Sequence, residues 1–189
     1  MALTALELCT RALLRIGAQA IASMDEGTAE AEIASGLYSG TRDALLSSHP
    51  WSFATGQATL PRLAAEPTAD FRHAFQLPPG FLRALSAGGP SMGRGINYRL
   101  LEDRLHSDAP QVTLTYIFLP DESSFPAFFA TALVARLSAE FCIPLTESST
   151  RAQFLFIQAE NELRGARRTD SQQATTRAID GFPLIQVRG

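Results

Sequence analysis

The sequence predicts an α+β protein, mainly helical: an antiparallel helical bundle of two helical hairpins, with a small antiparallel β region inserted between them and an extended C-terminal arm. Three observations carry that expectation. Apolar residues recur at helical spacing over residues 4–49 and again over 124–168. Between them, over 51–119, the period drops to two and turn residues such as Pro78-Pro79-Gly80 punctuate it. The last stretch, 169–189, follows neither period. With 189 residues, 46% hydrophobic and 19% charged, the chain has enough length for one core and the composition of a globular soluble protein.

The first helix is expected over 4–17. Thr4-Ala5-Leu6-Glu7 is a capping box, Leu6, Cys9, Leu13 and Ile16 form the apolar stripe, and Gly17 supplies the stop. An acidic loop with Asp25, Glu26 and Gly27 leads to a second helix over 28–49, whose first turn carries Glu30 and Glu32 where the helix dipole favours them. It ends at His49 because Pro50 drives the preceding residue out of the α region. The chain turns on Ser47–Ala54. There Trp51, the only tryptophan, and Phe53 alternate with Ser52, which reads as a strand whose aromatic face anchors the β region to the helices.

Strands are expected at 71–75, 81–85, 96–101 and 111–118, four or five in one small sheet, and Gly88–Gly95 reads as a mobile loop. The third helix, 124–143, would be capped by Ser123 or Ser124, with Pro126 in its first turn and Pro144 as its end. It is apolar around most of its girth and so must be covered on more than one side. Arg136 and Glu140 lie four apart and are placed to pair. The fourth helix, 148–168, has the stripe Ala152, Leu155, Ala159, Leu163 and Ala166, while Phe154, Phe156 and Ile157 fall off it. Residues 1–168 thus read as one domain and 169–189 as an arm, with Ile179, Phe182, Leu184, Ile185 and Val187 as its docking residues on another subunit or protein.

Composition narrows the chemistry. No apolar run approaches the roughly 20 residues of a membrane span, the N-terminus lacks the order of a signal peptide, and no membrane partner is expected. Cys9 and Cys142 sit in apolar helical surroundings and read as buried free thiols. All 16 basic residues are arginine, the choice suited to fork contacts. Residues 1–50 carry three arginines against six acids, and residues 163–189 carry five against two, opposite signs that suit head-to-tail association of copies.

Catalytic patterns are sparse. Gly88 to Gly93 has a phosphate-loop spacing, but Arg94-Gly95 stands where Lys and Ser or Thr are needed. No Gly-x-Ser-x-Gly elbow occurs, and His49, His73 and His106 lack ligand partners at metal spacing. Glu30 with Glu32 and Glu160 with Glu162 point to different faces of their helices and read as solvated charge. No cofactor, no metal and no catalytic residue is therefore expected. The alternatives are a small envelope-degrading hydrolase with a site assembled from distant residues, or a generic prophage-encoded interaction module.

Four stretches in this order resemble the tailed-phage head-to-tail adaptors related to tail tubular protein A. They are the capped helix ending Arg15-Ile16-Gly17, the run His49-Pro50-Trp51-Ser52-Phe53-Ala54, the segment Phe75–Arg83, and Phe125-Pro126-Ala127-Phe128-Phe129 leading to Ser138–Thr146. The resemblance covers residues 1 to about 168, with Pro126 departing from the small or acidic residue usual there. It implies a ring of about twelve copies beneath the portal of the capsid. That ring would line the DNA conduit in the virion neck, touch packaged DNA passively and seat a tail or nozzle protein. Assembly would follow synthesis in the host bacterial cytoplasm. Portal protein, tail protein and further copies of the chain are the implied partners. Phe154, Phe156, Ile157 and Arg136 are expected at the subunit interface, and Trp51 and Phe53 as the structural anchor.

Overall fold

The computed structural model describes residues 3–90 and 92–173. Four helices, α1 (Ala5–Arg15), α2 (Ala29–Ser47), α3 (Ala127–Thr146) and α4 (Ser149–Ser171), enclose six strands in sequence. These are β1 (Thr55–Thr59), β2 (His73–Gln76), β3 (Phe81–Gly88), β4 (Arg99–Leu101), β5 (Arg104–Ser107) and β6 (Thr113–Phe118). They form two antiparallel sheets, in the orders β1-β6-β3 and β2-β5-β4. The fold is α+β, as expected, but the single sheet of four or five strands is corrected to two sheets of three.

The capping box holds: Thr4 Oγ1 accepts from the Glu7 amide at 3.2 Å and the Glu7 carboxylate accepts from the Thr4 amide at 3.3 Å. Gly17 closes α1 at φ +76, in the left-handed region that suits a helix stop. α3 is the centre of the helical layer: α1, α2 and α4 all lie against it, while α1 and α2 meet each other much less. Its coverage on several sides follows from its apolar girth. By length and composition α3 is also the one described helix apolar enough to cross a membrane, which corrects the reading that no run reaches that length. Of its most apolar window, 61% is buried against the rest of the chain.

Two cores result. Leu8, Leu13, Leu46, Trp51, Phe129, Leu133 and Phe141 fill the helical one, and Ile117 of β6 reaches into it. Phe75, Leu105, Val112 and Leu114 fill a smaller one between the sheets. β6 therefore buries residues of both faces, where the sequence showed only the Val112–Leu114 side.

Pro144 does not end α3. A proline forfeits the bond to the carbonyl four residues earlier and crowds that carbonyl, but with two residues of helix left beyond Pro144 this disturbs the last turn alone. The helix runs on to Thr146, and Glu147, left-handed at φ 53, closes it by donating its amide to Ile143 O at 2.9 Å. Neither Ser123 nor Ser124 caps it. Pro126 is the N-cap and has no side-chain bond to offer, while Ser124 Oγ donates to Asp121 O at 2.7 Å in a short 3₁₀ turn. Nor is Gly88–Gly95 a free loop. Ser86 Oγ donates to Gly93 O at 2.7 Å, Gly88 pairs with Gly95, and a Cβ on Gly88 would run into the Met92 carbonyl.

Candidate interaction surface

The joint after α2 is the node that positions every other surface. Pro50 stops the helix, and Trp51 turns inward, fully buried, with its indole N–H donating to Leu45 O at 3.0 Å. Around it stand His49 edge-on at 4.8 Å, Phe129 at 5.1 Å and Phe53 at 6.1 Å between ring centroids. Phe53 in turn meets Phe129 at 5.0 Å and Phe125 at 6.0 Å. The expected anchor pair is thus brought together with the start of α3.

The strand reading of Trp51–Phe53 is corrected: Ser52–Ala54 is one 3₁₀ turn and β1 begins at Thr55. The physical reason is that the backbone groups a strand would pair are taken locally. Trp51 O accepts from Thr55 Oγ1 at 2.6 Å and from the Ala54 amide at 3.2 Å. The Ser52 amide and hydroxyl both donate to Asp170, at 3.1 and 2.6 Å. Asp170, only 3% exposed, is a last-turn residue of α4, which corrects the expectation that the arm begins at 169. The last turn of α4 thereby holds the connection between α2 and β1.

His49 Nε2 stands 3.6 Å from the other Asp170 oxygen. Burial holds His49 below its ordinary pKa and outweighs the opposing pull of that carboxylate. Serine, histidine and aspartate are here together, but wired in the wrong order for a nucleophile. In an acyl-transfer triad the histidine sits between serine and carboxylate, whereas Ser52 donates to the carboxylate directly. His73 and His106 lie apart from this group, in β2 and β5. Cys9 and Cys142 are buried and free, and burial pushes the Cys9 thiol up to about 12. Among the described residues no cluster of three or more His, Cys, Asp or Glu side chains is placed to hold a metal ion.

Four large apolar side chains are exposed on α3 and α4, as Leu14 of α1 and Met92 are elsewhere. Phe154 is 60% exposed, Ile157 54%, Phe156 43% and Ile143 57%. Arg136 is spent inside the molecule: it pairs with Glu140 at 2.9 Å and Glu160 at 3.3 Å and lies over the Phe156 ring at 4.6 Å. It ties α3 to α4, so what it presents outward is the flank of that tie. Between α2 and α4, with Arg136 and Glu140 of α3 at its floor, runs an open groove of about 480 Å³. Its walls are Gly36, Leu37, Gly40 and Ala44 on one side and Leu163 and Arg167 on the other.

No family model matches the chain, and no curated protein does.

Two arrangements had no sequence signal. Tyr38 and Arg42 of α2, one turn apart, both donate to Glu122, at 3.1 and 3.0 Å, and pin the 3₁₀ turn ahead of α3. Burial, with Glu122 beside it, pushes the Tyr38 hydroxyl far above its usual range. For Glu122 burial acts upward, but the bonds from backbone, Arg42 and Tyr38 together hold it below the ordinary carboxylate value. The groove is the second arrangement, since Gly36 and Gly40 by themselves signal only a weakened helix. The expected docking residues Ile179, Phe182, Leu184, Ile185 and Val187 lie outside the described residues.

Proposed function

We propose that this chain is a structural head-to-tail adaptor of a tailed-phage particle, with no catalysis of its own. About twelve copies would close a ring by a heterologous contact, beneath the portal and above the tail. In this reading the helices act as an antiparallel bundle of two hairpins, and the two sheets project from it toward the tail. The apolar arm from residue 179 onward engages the portal or a neighbour by strand addition or groove filling.

The observation that carries the reading is the apolar surface of the α3–α4 hairpin. Ile143 and Phe156 line one shallow pocket, and Phe154 and Ile157 stand three apart on α4, all four exposed on helices already packed together on their inner sides. Clustered exposure of this kind marks a protein contact. The order of the four resembling stretches supports the phage setting, and the serine-to-carboxylate wiring at Asp170 favours a structural joint over a hydrolase.

The test is binding to an assembled portal ring, followed by size-exclusion chromatography with light scattering. The expected outcome is a stoichiometric ring of this chain on the portal, formed either beforehand or only on contact. Failure to bind assembled portal would sink the reading.

A further inference from the structure

We infer that the outward face of α2 receives the outward face of α4 from a second copy of this chain, the two helices running antiparallel. This contact deepens the adaptor reading and rests on its copy-to-copy contact through α4, naming what that helix meets.

Both faces are written at a seven-residue spacing. On α4, Phe154, Ile157, Asn161, Arg164 and Arg168 recur at steps of three and four and so form one seam. The seam points away from the core, opposite the buried stripe that runs from Ala152 to Ala166. On α2, Ala29, Ile33, Gly36, Gly40 and Asp43 recur in the same way, opposite the buried Ala31, Ala34 and Tyr38. One seam is a ridge and the other a hollow. Phe154 and Ile157 are more than half exposed, whereas a Cβ built on Gly36 or Gly40 meets nothing within 4 Å. Glycine weakens a helix interior, and no contact among the described residues requires it at either position. What two glycines on one face do permit is the close approach of another helix, with that helix's large side chains filling the space.

Charge then selects the partner and its direction. Both helices rise about 1.5 Å per residue, so an antiparallel pair keeps step along its length. Setting Phe154 against Gly40 and Ile157 against Gly36 brings Asn161 against Ile33. Arg164 then meets the turn that holds Glu30 and Glu32, and Arg168 points toward Asp25 in the acidic loop. At the other end Arg151 falls opposite Asp43, which already pairs with Arg42 at 2.8 Å. Among the described residues Arg151, Arg164, Arg168, Asp25, Glu30 and Glu32 enter no ion pair, so their charges are unspent. Glu162 stands about 120° or more around the helix from both Arg164 and Arg168, outside the seam. A parallel pairing over the same glycines would carry Arg164 and Arg168 past the end of α2, where residues 44–54 hold no acid. Only the antiparallel order sets apolar on small and basic on acidic together.

The test is sedimentation of the full chain at low salt, at concentrations up to about 1 mM. Expected is self-association that Arg164→Glu with Arg168→Glu weakens at least tenfold. Glu30→Arg with Glu32→Arg should weaken it as much. Mixing these two variants should restore the association of the parent, because each reversed face again meets its opposite. An unassociated parent, or a mixture without rescue, would overturn the inference. So would sensitivity to one reversal alone, which would mean α2 on α2 or α4 on α4. In a second measurement Gly40→Leu fills the hollow at a site with space for it and replaces a poor helix former. Association should fall at least tenfold while the thermal transition of the monomer rises, and undiminished association would equally overturn the contact. Portal binding is read separately. Loss of this contact with portal binding intact removes the inference alone, and self-association without portal binding removes the adaptor reading alone.

Discussion

Trp51 shows how one side chain sets the relation of four elements. It is fully buried, bonded to Leu45 at the end of α2, and packed on Phe129 of α3, while Ser52 beside it is held by Asp170 of α4. Trp51→Ala removes a large buried volume and leaves Leu45 O without its indole donor. It should lower stability by about 3–5 kcal/mol, read as a fall in the denaturant midpoint with an unchanged slope. The same joint titrates. Because burial holds His49 below 6.5 in the native state, the unfolded chain takes up its proton first as pH falls. The His49 contribution is therefore fully present above that value and lost as pH falls from it toward the depressed folded value. Glu122, also depressed, acts in a separate window, below the ordinary 4.5. Stability should thus decline as pH falls below the ordinary imidazole value, and His49→Gln should flatten that slope while Glu122→Gln leaves it. A slope unchanged in His49→Gln would assign it to another group.

At the scale of elements, helices were legible and the sheets only in part, and particular residues show why. The α1 start was readable because Thr4 and Glu7 satisfy each other locally, without help from the rest of the fold. β1 was not, because Thr55-Gly-Gln-Ala-Thr59 lacks apolar alternation and pairs with β6 by register alone. The β4–β5 hairpin was missed for a chemical reason. Its two-residue turn, Glu102-Asp103, has both residues at positive φ, 50 and 57, where such turns ordinarily use Asn-Gly. Holding Glu102 left-handed costs about 1 kcal/mol. Glu102→Asn combined with Asp103→Gly should therefore raise stability by about 1 kcal/mol in chemical denaturation, an increment taken from the turn and not from new contacts. No gain would mean that Glu102 or Asp103 makes a compensating interaction in its left-handed position. Misplaced boundaries have equally local causes. Pro144 is tolerated because it falls in the last turn of α3, and α4 outlasts its apolar stripe because Asp170, a polar residue, is the one that buries and locks its end.

At the scale of the whole molecule, the candidate surface was legible wherever it consisted of side chains off a stripe, and illegible where it consisted of space. Phe154, Phe156 and Ile157 could be read as outward-facing from spacing alone, and all three are exposed. The groove could not, since it exists only because α2 and α4 flank α3 without closing over it. Arg136 falls between the two cases: its pairing with Glu140 is a matter of spacing, but Glu160 and Phe156 reach it only through the α3–α4 hairpin. These distinctions decide what a surface variant should do. Phe154 and Ile157 are three residues apart on α4 and more than half exposed, so neither supports the core. Phe154→Glu with Ile157→Glu should leave the stability of the monomer within about 0.5 kcal/mol of the parent, as surface changes do. In a ring the same pair would place two carboxylates in an apolar contact, where unpaired burial of charge is prohibitive. The expected result is an unaltered thermal transition together with loss of assembly on the portal, measured by sedimentation. If assembly persists undiminished, the outer side of α4 is not the subunit contact. A collapse of monomer stability instead would show these side chains to be part of the fold itself.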